Sequence, residues 1–352
     1  MERADRGLAH LLRYENIAWY EDGAVRILDR RVYPYEKKET ICRRHDEVAE
    51  AIRDMVTQSG GPFLAVQMGM ALAAHEAKDF SKTEKLAHLE QAARRLSNAR
   101  PTTARKMGIL TDKSLAAFDF ALNEGKNPVS AIFDNAIETI NERYRQVRRI
   151  AVHLVRQFPD HGVVMTQCFA ETIVGMMLLE CKVQNKNVRF ITPETRPYLQ
   201  GARLTASVIA DMGFDVHVIT DNMPAWIMGR EDVDVFTSAA DIITMDGHVI
   251  NKVGTFQIAL AAQYHGIPYF VTGTPNREHE TIHDIIIEER DVEQVRQHLG
   301  RDVLEAGVGA YYPAFDITPP KLCDGVVTPQ GIFAPFDLHS FFDLDDSNGV
   351  VV

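Results

Sequence analysis

Pro159-Asp-His-Gly-Val-Val-Met-Thr166 marks the point where one texture of sequence gives way to another. Downstream, short apolar runs alternate with helical patterns: Val163-Val-Met-Thr166, Val188-Arg-Phe-Ile-Thr192, Val216-His-Val-Ile-Thr220, Val233-Asp-Val-Phe-Thr237 and Ile267-Pro-Tyr-Phe-Val-Thr272. Such alternation predicts a parallel sheet covered on both faces, hence an α/β fold. Ligands of these sheets bind outside the carboxyl ends of the strands. Cys168, Glu194, Asp221 and Asp241 each fall just after a predicted strand, so four reactive side chains gather at that edge.

Upstream, Ile17-Ala-Trp-Tyr20 and Ala24-Val-Arg-Ile-Leu28 flank Glu21-Asp22-Gly23 and read as a small hairpin. From Cys42 to Phe158 apolar residues recur at helical spacing, as in Leu86, Leu89, Ala92, Ala93 and Leu96, with Pro62, Pro101 and Pro128 as punctuation. The expected organisation is a mainly helical domain with a small sheet over 1–158 and a catalytic α/β domain over 159–352. Asp343 to Val352 read as a loose tail.

The 352 residues, 45% hydrophobic and 25% charged, have an ordinary soluble globular composition. A formal charge of −11 gives no footprint for nucleic acid, although a local basic pocket for one small phosphate remains open. The first residues carry acidic charges where a signal peptide needs an apolar core, and no run approaches the ~18 apolar residues of a membrane span. A cytoplasmic protein with no membrane partner is expected. Cys42, Cys168, Cys181 and Cys323 lie far apart and suggest neither a zinc ribbon nor a disulfide framework.

Cys168 lies between the strand ending at Thr166 and a helix expected to begin near Ala170, where the macrodipole favours a thiolate. By itself such a cysteine is commonly a small buried hydrophobe. Asp241, between Ser238-Ala-Ala and Ile242-Ile-Thr-Met245, is expected to be desolvated enough to keep its proton and act as a general acid; the ordinary alternative is a cap or turn aspartate. Gln200, Asn251 and Lys252 offer amides and an ammonium for hydroxyls and a charged oxygen, though such residues are usually at the surface. In the helical half, Ser59-Gly60-Gly61-Pro62 leads into a helix expected near Phe63, where free amides could face a phosphate, and Arg100 could add a fork of donors.

His279-Glu-Thr-Ile-His283 has the spacing of a zinc-protease motif but runs into Ile285-Ile-Ile287, so a loop before a short strand is expected and no metal site. No Gly-x-Gly-x-x-Gly opens a helix, which argues against nicotinamide chemistry.

Taken together, Arg100-Pro-Thr-Thr-Ala104, Glu194-Thr-Arg-Pro-Tyr-Leu-Gln-Gly-Ala-Arg-Leu-Thr205, Ile219-Thr-Asp-Asn-Met223, Asn251-Lys-Val-Gly-Thr-Phe-Gln257, His265-Gly-Ile-Pro268, Ile287-Glu-Glu-Arg290 and Pro313-Ala-Phe-Asp-Ile-Thr-Pro-Pro320 resemble the methylthioribose-1-phosphate isomerase family. That family is related to ribose-1,5-bisphosphate isomerases and to regulatory subunits of the translation-initiation exchange factor. The resemblance implies a Rossmann-like carboxyl-terminal domain, a homodimer, and isomerisation of a ribofuranose 1-phosphate to a ribulose 1-phosphate without metal or organic cofactor. It implies that Cys168 and Asp241 are catalytic, and that Arg100, Gln200, Asn251 and Lys252 bind substrate.

The chain also departs from the family pattern. It has Ser59-Gly60-Gly61-Pro62 where Arg-Gly-Ala-Pro is usual, Phe169-Ala170-Glu171 where Asn-Ala-Gly follows the cysteine, and Ile242 where arginine follows the aspartate. These changes leave the acid and base in place and alter the surroundings of the sugar. The default substrate is 5-methylthioribose 1-phosphate, with 5-deoxyribose 1-phosphate or ribose 1,5-bisphosphate as alternatives, and a non-catalytic sugar-phosphate or nucleotide-sensing subunit as the rival reading.

Overall fold

The computed structural model describes residues 3–100, 103–298 and 300–345. The chain divides into two compact units, 1–145 and 146–351. The division falls inside a long helix, ahead of the 158/159 change of texture.

In the first unit, β1 (Ala18–Glu21), β2 (Ala24–Leu28) and β3 (Glu39–Cys42) form an antiparallel sheet in chain order. Glu21 pairs with Ala24, and both Asp22 and Gly23 have positive φ, 47° and 78°, as a two-residue hairpin turn matched to strand twist requires. Five helices follow: α1 (His45–Arg53), α2 (Gly61–Glu76), α3 (Lys82–Ser97), α4 (Ala104–Asn123) and α5 (Pro128–Val155). Most of α2 is buried, because Pro62-Phe-Leu-Ala-Val and Met68-Gly-Met-Ala-Leu-Ala-Ala74 are apolar on every side, as a central helix must be. A capping box between Ser81 and Glu84 starts α3.

The second unit is built on β4 (His161–Thr166), α6 (Thr172–Val183), β5 (Asn187–Pro193), a π-helical turn (Gly201–Thr205) continuing into α7 (Ala206–Asp211), β6 (Val216–Ile219), α8 (Pro224–Met228) and β7 (Val233–Ala239). The short β8 (Ile242–Ile243) and β9 (Val249–Lys252) precede α9 (Thr255–His265) and β10 (Tyr269–Thr272). The remainder comprises α10 (Glu293–Arg296), a two-stranded ribbon of β11 (Gln297–His298) and β12 (Arg301–Asp302), then β13 (Phe315–Thr318), β14 (Gly325–Thr328), β15 (Gly331–Phe333) and α11 (His339–Asp345). The main sheet has the order β15-β14-β10-β7-β4-β5-β6, parallel except for β15. Its core includes Val163, Met165, Ile191, Phe236, Tyr269 and Val271, inward-facing residues of the apolar runs read from the sequence.

From β4 the chain moves outward to β5 and β6, then returns to the other side of β4 as β7. That reversal opens a crevice at the carboxyl ends of β4 and β7, the place where open α/β sheets bind ligands. A second sheet, β13-β9-β8, is antiparallel.

Three expectations need correction. The helix after Cys168 begins at Thr172, not near Ala170. Ile285-Ile-Ile287 is not a strand: it follows a 3-10 turn at Ile282–Asp284 and Ile286 is 95% exposed, since β-branching makes a strand only where a partner edge is at hand. The start of the expected tail, through Asp345, belongs to α11; the rest lies outside the described residues.

Candidate active site

Cys168 follows β4 and Asp241 follows β7, so the two flank the switch point. Cys168 has φ 58°, Glu171 48°, Thr195 64° and Leu199 58°. Four non-glycine residues in left-handed backbone within the loops after β4 and β5 mark strain held in place by surrounding structure, a condition frequent at functional sites. The Thr205 hydroxyl donates to the Cys168 carbonyl and so ties the β4 loop to the segment after β5, while the Thr195 and Arg196 amides donate to Asp221 in the loop after β6 at 2.7 and 2.6 Å. Asp221 is therefore a loop clasp. Gly201 lets the π turn lie against β5, because a Cβ there would stand 1.8 Å from the Pro193 carbonyl oxygen.

The helix-terminus thiolate expected at Cys168 is not what the surroundings favour. Burial pushes the thiol up to about 11, against the opposing pull of Lys252, the Phe169 amide and Arg290. With α6 starting only at Thr172, the dipole acts beyond the range in which it is strong, and desolvation wins. Asp241 also differs from expectation: its side chain is exposed, so the described residues do not supply the desolvation foreseen for it. Its backbone N–H donates to the Ile250 carbonyl at 2.9 Å, which fixes it against β9.

Gln200, Asn251 and Lys252 are only 6%, 6% and 5% exposed, not surface residues. The Asn251 amide donates to Thr255 Oγ1 at 3.1 Å. Neither Lys252 Nζ nor Gln200 Oε1 has a hydrogen-bond partner among the described residues. Lys252 rests over the Phe315 ring at 4.9 Å, and burial lowers its pKa while Cys168 and Asp241 oppose the shift. A buried ammonium that rests on an aromatic face and makes no hydrogen bond leaves its donors available to an anion. β13 supports this arrangement, since Phe315 pairs with Lys252 and Asp316 with Asn251 across the ladder. Asp316 accepts from the amides of Gly254 at 2.6 Å and Phe256 at 3.1 Å, fixing the turn between β9 and α9.

Arg290 is a neighbour to which the sequence reading gave no role. Its guanidinium lies 5.8 Å from the same Phe315 ring and donates to Glu288 Oε1 at 3.0 Å. Its charge acts on both Cys168 and Lys252. The signal was present in Ile287-Glu-Glu-Arg290 and Pro313-Ala-Phe-Asp-Ile-Thr-Pro-Pro320, but only the bridge Glu289↔Pro313 reveals that the two segments adjoin.

The other anticipated residues belong to the first unit. Gly60 and Gly61 start α2 at Gly61, ahead of the expected Phe63, and the Gly61 amide is already used by the Gln58 carbonyl at 3.1 Å. A Cβ on Gly61 would meet Thr57 Oγ1 at 2.0 Å, so this glycine answers a packing need. Ser59 is exposed with φ 58°. Arg100 is half-buried after α3, and Pro101-Thr102 of its motif lie outside the described residues. The His279–His283 segment is not α-helical, so helical spacing does not bring its two imidazoles onto one face.

The second unit is thus a doubly wound α/β fold whose switch point carries a thiol and a carboxylate, both electrostatically coupled to a buried lysine Nζ that has no hydrogen-bond partner. Residues 58–335 match the Initiation factor 2 subunit family, and the chain belongs to that family. It is 34% identical over 340 residues to methylthioribose-1-phosphate isomerase of Chloroflexus aurantiacus, covering 93% of this chain and 97% of that protein. The crystal structure of 5-methylthioribose 1-phosphate isomerase from Pyrococcus horikoshii superposes with a TM-score of 0.83 at 29% identity, covering 97% of this chain and 98% of that one. The structure of translation initiation factor eIF-2B, subunit delta, from A. fulgidus gives 0.81 at 30% identity, covering 91% and 96%.

Proposed function

We propose that the chain is an aldose–ketose isomerase converting a ribofuranose 1-phosphate to a ribulose 1-phosphate, with 5-methylthioribose 1-phosphate as substrate and methionine salvage as its setting. The observation that carries this reading is the buried Lys252 ammonium, without a hydrogen-bond partner and electrostatically coupled to Cys168 and Asp241. An ammonium held this way favours a ligand bearing negative charge, and the relatives' names supply its identity. Lys252, Asn251 and Gln200 bind the sugar phosphate, with Arg290 as a second cation; Ser59, Gly60, Gly61 and Arg100 are candidate substrate-binding positions on the sequence pattern alone. The enzyme acts in the cytoplasm as a homodimer. Among the described residues no helix is long and apolar enough to cross a membrane.

Phosphate on C1 blocks spontaneous ring opening, so the enzyme must supply a proton to the ring oxygen. Asp241, exposed in the ligand-free chain and shielded from water once the sugar covers it, gives that proton, which breaks the bond between C1 and the ring oxygen and leaves a hydroxyl on C4. Hydride then passes from C2 to the electron-poor C1, and the C2 hydroxyl gives its proton to the Asp241 carboxylate as the ketone forms, which restores the acid. A Cys168 thiol pushed up to about 11 is protonated at neutral pH, so the bound sugar meets S–H and not a standing base. Direct passage of hydride from C2 to C1 fits that state better than abstraction by a thiolate.

Phosphorus and carbon NMR of the purified chain in D2O tests this, with the 5-methylthio, 5-deoxy and 5-phospho forms of α-ribose 1-phosphate offered separately. The expected result is a ketose 1-phosphate from the 5-methylthio sugar, retaining the C2 hydrogen at C1, and its loss in Asp241→Asn; wash-out of the C2 hydrogen, abolished in Cys168→Ser, would instead make Cys168 the proton relay. Conversion of another form alone would reassign the substrate, in keeping with the departures from the family pattern at Ser59, Glu171 and Ile242. Binding of all three without conversion would overturn the enzymatic reading.

A further inference from the structure

We infer that His45, Glu76 and His88 form a zinc-binding site in the helical unit, independent of the sugar-phosphate site. His45 opens α1, Glu76 closes α2 and His88 lies within α3, and these three helices pack pairwise. Their ligand atoms all lie within 4.8 Å of one another. His45 Nδ1 is 2.7 Å and His88 Nε2 3.2 Å from the same carboxylate oxygen, Glu76 Oε2. Zinc bonds of ~2.1 Å hold tetrahedral ligands roughly 3.4 Å apart, so the set needs only small side-chain adjustments to seat the ion.

The surroundings are those of a built metal site. Glu76 Oε1 accepts the His45 backbone N–H at 2.6 Å, which orients the carboxylate and leaves Oε2 for a single metal bond. The other ring nitrogen of His45 faces Asp46 Oδ1 at 3.8 Å, and Asp46 is itself held by Arg44 at 2.8 Å and Arg95 at 3.4 Å. At 3.8 Å Asp46 makes no hydrogen bond to the ring, but a small turn of its carboxylate would give the outer partner usual for a metal-bound histidine. His45 is 8% exposed, while Glu76 and His88 are 20% and 21% exposed, so an ion can enter from one edge and retain a water as fourth ligand. Two imidazoles and one carboxylate suit zinc better than calcium or magnesium, which prefer oxygen ligands. The ligands are separated by 31 and 12 residues, a spacing that no short metal motif covers.

The test uses the full chain, stripped with chelator and titrated with zinc sulfate by calorimetry, with cobalt chloride as a spectroscopic stand-in. One zinc per chain, a visible four-coordinate cobalt spectrum and a raised thermal midpoint are expected. His88→Gln, which leaves the bond between His45 and Glu76 intact, should abolish the cobalt spectrum and weaken zinc more than tenfold. Asp46→Asn should weaken it by ~10–100-fold. Failure of the parent to bind would reduce the cluster to a hydrogen-bonded clasp. Stoichiometric binding unchanged in His88→Gln would place the ion elsewhere, and either result overturns the proposal.

Discussion

At Cys168 two opposing effects meet in one side chain. Lys252 and Arg290 pull the thiol toward ionisation, and removal from water pushes it the other way and prevails, to about 11. Cys42, Cys181 and Cys323 are buried and Cys168 is half-buried, so alkylation of the folded chain should fall on Cys168. Its rate with iodoacetamide is expected to keep rising as pH approaches 11, and Lys252→Met should push the profile higher by removing a favourable charge. A plateau near pH 8, read by mass spectrometry of the labelled peptide, would contradict the dominance of burial. Asp316 gives a second titration. Burial pushes its carboxyl up to about 6 against the Gly254 and Phe256 amides, from an ordinary 3.8. Between those values the folded state keeps a proton that the unfolded chain has released, so stability declines as pH rises through the window and the loss is complete above about 6. Asp316→Asn lacks this penalty. By urea unfolding, the variant should gain up to ~3 kcal/mol on the parent between pH 3.5 and 7.

The π turn at Gly201–Thr205 is the segment most sensitive to one added atom. Gly201→Ala places a methyl against the Pro193 carbonyl, so the turn must move away from β5. A loss of ~1–3 kcal/mol is expected. The same movement displaces Gln200, so kcat/KM should fall as well; thermal unfolding alongside a rate assay checks both. The strands were legible because β-branched runs in a buried parallel sheet leave little ambiguity: β4, β5, β6, β7 and β10 lie where Val163, Val188, Val216, Val233 and Ile267 announce them. The turns carrying the candidate site were not legible in that way. Left-handed backbone at Cys168, Glu171, Thr195 and Leu199 is imposed by tertiary contacts, and none of these residues is a glycine that would advertise it. Left-handed Glu171 also keeps α6 from starting before Thr172, later than the expected Ala170. The burial of Lys252 could not be read from its residue type, because it depends on β13 covering β9 from a point far along the chain.

The whole chain combines a net charge of −11 with cations concentrated around Phe315. Overall repulsion and local attraction for an anion coexist because the first is screened by salt beyond about 10 Å and the second acts in a partly dehydrated place. Sedimentation equilibrium is expected to give twice the 39.6 kDa chain mass, as the homodimer requires; a single-chain mass at micromolar concentration would remove that part of the reading. The sequence changes texture near Pro159, whereas the compact division lies within α5, whose helical periodicity continues across it. Lys252 also bears on how the sequence would drift in the laboratory. An ammonium kept from water without a hydrogen-bond partner weakens the ligand-free fold, and apolar replacements remove that burden. A selection for heat resistance that ignored turnover would discard this lysine early, and its loss from such a library would map the binding pocket without any substrate being supplied.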